Sequence, residues 1–121
     1  MEREQGKVYY AVNYITLLHV LKKTGIIATT YNPLYVFFSE KMALERFSHD
    51  EPFTKQIAII PLLVDRKMFK VESIDVSETL ENGIDTEYRL MYGVISDLCC
   101  DLPDDSEINL YINTRKKTFE N

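Results

Sequence analysis

The sequence predicts an α+β protein, with a mixed, mainly antiparallel sheet and two short helices near the N-terminal half. Both helix signals fall before residue 50, and each begins at a capping side chain. After them the chain carries a continuous apolar run at 56–64 and alternating segments at 87–95 and 107–113. Strands that follow one another without intervening helices favour the α+β class over a doubly wound parallel sheet.

The first helix is predicted from a cap, an apolar face and a stop signal. Residues 7–12 form a short β-like run, after which the Asn13 side chain can accept an orphan backbone N–H. Four apolar residues then follow at helical spacing: Tyr14, Leu17, Leu18 and Leu21. Gly25 can adopt the left-handed conformation that ends a helix.

The remaining elements are predicted from composition and alternation. We expect strands at 26–30 and 34–38, a helix capped by Ser39 over 40–47, and a loop at 49–52. The run 56–64 suits a strand, with a bulge or an unpaired edge at Pro61. Further strands are expected at 68–74, 87–95 and 107–113, with a short helical turn within 75–83. The last strand is expected to bury Ile108, Leu110 and Ile112.

Length and charge set the broad class. The chain has 121 residues, which predicts a single domain over 1–121 with flexible ends at 1–6 and 114–121. Its formal net charge of −5 argues against general nucleic-acid binding, which needs clustered cations. No apolar run approaches the ~20 residues that span a bilayer, so we expect no membrane helix. The adjacent thiols Cys99 and Cys100 have no distant partner, which favours the cytoplasm.

Most enzyme signatures are missing from the sequence. The four glycines are too dispersed to form a phosphate-binding loop. His19 and His49 do not have the spacing of metal ligands, so no metal site is predicted. We interpret Cys99 and Cys100 as buried structural thiols.

Two features leave more than one interpretation open. Five carboxylates lie within 97–107, and they form either a solvated loop, a docking surface for a basic protein partner, or a decoy for a nucleic-acid-binding groove. The tyrosines of the first third either pack in the ordinary way or line a pocket for a planar base. These tyrosines are Tyr9, Tyr10, Tyr31 and Tyr35.

An ordered series of short motifs resembles the ADP-ribosyltransferase fold, which includes RNA 2′-phosphotransferases and DNA-targeting ADP-ribosyltransferase toxins. The matching stretches are Val8-Tyr9-Tyr10-Ala11-Val12, Val20-Leu21-Lys22-Lys23-Thr24-Gly25-Ile26, Tyr35-Val36-Phe37-Phe38-Ser39-Glu40 and Thr86-Glu87-Tyr88-Arg89-Leu90. The resemblance implies a protein that binds or processes NAD or a related nucleotide, with NAD as substrate and no metal.

The resemblance also implies roles for individual residues. Glu87 takes the position of the catalytic glutamate and Ser39 that of the strand-end hydroxyl. Tyr10 occupies the first-motif site that holds the NAD ribose or adenosine, and Tyr35 or Phe38 a stacking site. A carboxylate in the catalytic position stabilises the positive charge that develops as the nicotinamide–ribose bond breaks. Tyr10 stands where the family has His or Arg, so it supplies no positive charge.

Two alternatives follow from that departure and from the small, acidic chain. One is a non-enzymatic interaction protein, such as an inhibitor or an immunity-type factor encoded by a phage or another mobile element. The other is a protein that sequesters a nucleotide. In both, the fold would bind its target without turnover.

Overall fold

The computed structural model describes residues 5–79 and 82–113. Eight strands form three small sheets: β1 (Gln5–Asn13), β2 (Ile26–Ala28), β3 (Leu34–Val36), β4 (Gln56–Asp65), β5 (Phe69–Thr79), β6 (Asp85–Ile95), β7 (Leu98–Cys100) and β8 (Asn109–Ile112). The strand orders are β1-β4-β8, β2-β7 and β3-β6-β5, and every pairing is antiparallel. The predicted α+β class is confirmed.

The first and third sheets meet at one bridge. Tyr9 on β1 and Phe37, just after β3, exchange two backbone hydrogen bonds of 2.8 and 2.9 Å. Because Tyr9 directs its N–H towards Phe37, its antiparallel partner Pro61 directs its own backbone away from β1. The strand β8 pairs only with residues 56–59, so Pro61 lies at the unpaired edge that its missing N–H requires.

Two helices lie in the first half of the chain, as predicted. The first, α1, runs over 14–24 as α-helical Tyr14–Thr16, π-helical Leu17–Leu21 and α-helical Lys22–Thr24. The side chain of Asn13 accepts a hydrogen bond from the backbone N–H of Ile15 at 2.9 Å, which caps its start. It ends at Gly25, whose φ of 75° is open to glycine without strain.

The second helix, α2, spans Glu40–Asp50 and begins at Ser39, whose hydroxyl accepts from the Met42 N–H at 3.1 Å. It is longer than predicted, because His49 and Asp50 continue the helix instead of opening a loop. Ala43, which is fully buried, faces the sheet, and Met42, Leu44 and Phe47 pack around the same core cluster.

Two core clusters hold the elements together. One contains Ile26, Val36, Ala58, Ile60 and Ile95 among its buried members, and the other lies beneath α2. Leu110 and Ile112 are 48% and 69% exposed, so the expectation that β8 buries them was wrong, whereas Ile108 is buried. Tyr111 lies between them on the opposite face of β8, and it is this face that packs against the cluster beneath α2.

Other sequence predictions need correction or lie outside the described residues. Residues 75–79 extend β5 instead of forming a helical turn. The expected flexible ends lie outside the described residues except Gln5 and Gly6, which begin β1. Among residues 5–79 and 82–113, no helix is long and apolar enough to cross a membrane.

Candidate functional site

An aromatic cavity of about 410 Å³ lies between α2, β1 and the sheet β3-β6-β5. Five aromatic residues line it: Tyr10, Tyr35, Phe37, Phe47 and Tyr92. Ala11, Pro33, Leu34, Ile74 and Leu90 complete the apolar wall, and Arg46 and Asp50 supply its charged groups. A volume of this size lies in the lower part of the ~300–1,000 Å³ range of small-molecule sites.

Strand alternation explains the sheet side of this cavity. Leu90 and Tyr92 are two residues apart on β6, so their side chains point to the same face of the sheet. Ile74 on β5 is the register partner of Leu90 and shares that face. Tyr35 on β3 joins them, with its ring centroid 5.9 Å from that of Tyr92 and the two planes tilted by 54°. This distance is typical of favourable aromatic pairs.

The helix side of the cavity carries its charges. Arg46 and Asp50 are four residues apart on α2, and Arg46 Nε lies 3.0 Å from Asp50 Oδ2. Phe47 lies between them in sequence and also faces the cavity. The site therefore combines aromatic faces with one cation and one carboxylate, which suits a planar ligand with hydrogen-bonding edges.

Tyr10 is a residue of the cavity wall, and the pKa of its phenol is raised. Its side chain is half-buried against the first core cluster, and desolvation raises its pKa above the usual value of 10.0. Burial favours the neutral phenol over the charged phenolate. The hydroxyl is therefore a neutral hydrogen-bonding group at physiological pH.

The structure brings together two of the five residues that the sequence singled out. Tyr10 and Tyr35 both line the aromatic cavity. Ser39 caps α2 instead, since its hydroxyl is bonded to the Met42 N–H. Phe38 lies with its ring 5.9 Å from the Phe69 ring and is not among the residues that line the cavity.

Glu87 lies apart from the cavity. It is exposed and lines a separate shallow groove with Asp75 and Ser77. Because Glu87 is an odd number of positions from Leu90 along β6, its side chain projects from the opposite face of the sheet. The geometry thus does not support the catalytic role that the resemblance implies for Glu87, and that role stays a prediction.

Sequence reasoning missed Arg46, Asp50 and Tyr92. The first two are an Arg–Asp pair spaced i,i+4, which is a recognisable helix pattern but usually indicates a surface ion pair. Alternation along β6 places Tyr92 on the same strand face as Leu90, but nothing local in the sequence shows that this face meets α2.

The acidic segment 97–107 and the two cysteines are the other candidate features from the sequence. Of the carboxylates in 97–107, Asp105 forms an ion pair with Lys22 at 3.2 Å, and the others are exposed. Cys99 and Cys100 are both free thiols, but Cys99 is exposed and Cys100 only partly buried, so the expectation of two buried thiols was wrong. Burial raises the pKa of Cys100, with smaller contributions from Cys99 and Asp101. Within the part of the chain that the structure describes, no three His, Cys, Asp or Glu side chains converge on a metal site.

Comparison with known proteins identifies no family. No family model, curated protein or solved structure matches this chain.

Proposed function

We propose that this protein binds NAD or a related nucleotide, with the base held in the aromatic cavity. The observation that carries the proposal is that five aromatic residues line about 410 Å³ of space, with Arg46 and Asp50 in the same wall. Aromatic faces stack on any nucleobase, and each stacked base contributes roughly 1–3 kcal/mol of binding free energy. The neighbouring carboxylate and guanidinium supply an acceptor and donors for the edge of the base.

The proposal is for binding, and it assigns no turnover to Glu87. An ADP-ribosyltransferase-like reaction needs a carboxylate beside the ribose to stabilise the developing positive charge. Asp50 is the carboxylate that lines the cavity, whereas Glu87 faces away from it. Substitution of Asp50 is therefore the relevant test of catalysis at this site.

Calorimetric titration of the purified protein with NAD, AMP, adenosine and nicotinamide riboside tests the proposal. Tyr35 is 51% exposed, so Tyr35→Ala leaves the fold intact while it removes one ring of the cavity. We expect wild-type protein to bind at least one of these compounds and Tyr35→Ala to bind it about tenfold more weakly. The matched control is Tyr31→Ala, since Tyr31 is 97% exposed and does not line the cavity. Absence of binding by the wild type contradicts the proposal.

A second candidate function is the binding of a basic protein partner by the acidic segment 97–107. Asp97, Asp101, Asp104 and Glu107 are all exposed on this segment, which supports an electrostatic docking surface. Affinity capture with wild type and with the triple variant Asp97→Asn, Asp101→Asn, Asp104→Asn tests it. A partner retained equally by both proteins contradicts this candidate. A cytosolic location belongs to the same proposal and is supported by the two free thiols.

A further inference from the structure

A second groove of about 280 Å³ opens directly beside the aromatic cavity. The two hollows share Arg46 and Leu90, so they form one continuous surface along α2 and β6. The groove is also lined by Lys41, Met42, Glu45, Tyr88 and Arg89. A ligand whose ring fills the aromatic cavity can therefore extend a polar arm into this groove.

The charged side chains of the groove belong to α2. Lys41 and Arg46 contribute two cations and Glu45 one carboxylate. Arg89 adds no charge there, because its guanidinium lies on the opposite face of the sheet. Its Nε is 3.3 Å from Asp75 Oδ1, and its Nη1 donates to Ser73 Oγ at 3.4 Å. With Asp50, which pairs with Arg46 from the wall of the adjoining cavity, the two hollows together hold two cations and two carboxylates.

Arg46 stands at the junction of the two hollows and is suited to an anion. Its Nε faces Asp50, and its two Nη nitrogens carry four further N–H donors. The planar fork of a guanidinium matches the oxygens of a phosphate. Lys41 is one helical turn before Glu45 and, among residues 5–79 and 82–113, has no ion pair. An anion bound to Arg46 would have Lys41 as the second cation of the groove wall.

Resting on the proposed function, we infer that the ligand is a nucleoside 5′-monophosphate. Its base occupies the aromatic cavity, and its phosphate lies in the adjoining groove against Arg46 and Lys41. A terminal phosphate fits this arrangement because Arg46 lines both hollows and Lys41 lines the groove beside the cavity.

Calorimetric titration with matched pairs of ligands tests the inference. The probes are adenosine, guanosine, cytidine, uridine and nicotinamide riboside, each compared with its 5′-monophosphate at low ionic strength. For the bound base, we expect the monophosphate to bind at least tenfold more tightly than the nucleoside, as for hydrogen bonds to a charged group. Raising the salt concentration should weaken binding of the monophosphate alone.

Three glutamine variants test the charged side chains of the groove, with Lys23→Gln as the control. Lys41→Gln should weaken binding of the monophosphate about threefold, as an exposed ion pair would. Glu45→Gln, on the same groove, should leave it unchanged or strengthen it. Neither change should affect the nucleoside. Lys23→Gln, on α1 and away from both hollows, should have no effect on either ligand.

The outcomes separate the two proposals. If a nucleoside binds as tightly as its monophosphate, and Lys41→Gln changes neither affinity, the phosphate inference is overturned while base binding in the cavity stands. If no nucleoside or monophosphate binds the wild type, both proposals fail.

Discussion

Arg46 Nε lies 3.0 Å from Asp50 Oδ2 in the wall of an otherwise apolar, aromatic cavity. The two residues are one helical turn apart on α2, and their side chains are 27% and 46% exposed. A pair this accessible contributes only about 0.3–0.5 kcal/mol to the free energy of unfolding. The pair therefore adds little to stability, and it lies in the wall of a cavity that five aromatic residues line.

Two carboxylate-to-amide substitutions test whether the ligand binds in the aromatic cavity or in the groove that Glu87 lines. Asp50→Asn should weaken binding of the cavity's nucleoside about fivefold, because hydrogen bonds to an ionised acceptor are stronger than neutral ones. Glu87→Gln should leave that affinity within twofold, since Glu87 projects from the other face of the sheet. Calorimetric titration of both variants checks this. The reverse ranking would restore the assignment of Glu87 to the site.

Ser39→Ala is expected to act on stability and leave ligand binding unchanged. Removal of the hydroxyl that caps α2 should lower the free energy of unfolding by about 1 kcal/mol. Urea unfolding measures that loss, and titration of the variant with nucleotide measures affinity. Ser39→Thr should recover most of the stability, because threonine also caps helices. A loss of affinity without a loss of stability would show that the hydroxyl serves the ligand.

Gly25 and Gly83 form a matched pair for backbone strain. Both have positive φ, 75° and 83°. A Cβ at Gly25 would lie 2.6 Å from the backbone oxygen of Cys100, whereas one at Gly83 would meet nothing within 4 Å. Gly83→Ala should therefore cost about 1–2 kcal/mol of unfolding free energy, from left-handed strain alone. Gly25→Ala should cost clearly more, measured by urea unfolding. Equal losses would contradict the close approach of Gly25 to β7.

The buried phenol of Tyr10 predicts a loss of stability at alkaline pH. Burial raises its pKa in the folded state, so the unfolded chain ionises first as the pH rises. The stabilisation is fully present below the unfolded value of about 10 and is lost as pH increases through the folded value. Urea unfolding between pH 8 and 11 should show a smaller alkaline decline in Tyr10→Phe than in the wild type. Tyr31→Phe, at a 97% exposed position, should behave like the wild type.

Much of the fold could be predicted because its signals are local. Asn13 and Ser39 cap the helices in which they were expected, and Gly25 ends α1, since each depends only on the next few residues. The edge position of Pro61 was also predictable, because proline has no N–H for a second strand. The exposure of Ile112 was not, since it depends on which face of β8 packs against the core, and Tyr111 takes that face.

The candidate site was harder to predict because it depends on pairing between distant segments. Tyr9 and Phe37 bridge the two larger sheets, and this contact brings β1 beside the end of β3. No local pattern encodes it. In contrast, the separation of Glu87 from the cavity follows from alternation, since Leu90 lies three positions along the same strand. The motif series predicts one site, whereas strand alternation places Glu87 on the opposite face of the sheet from the aromatic cavity.

Amide chemical-shift mapping tests the central claim most directly. Uniformly labelled protein is titrated with the nucleotide that binds most tightly, and the shifted backbone resonances are placed on the structure. We predict that the largest changes lie around Tyr10, Tyr35, Arg46 and Tyr92. Changes confined to the opposite face, around Asp75, Ser77 and Glu87, or no changes at saturating nucleotide, would contradict the account.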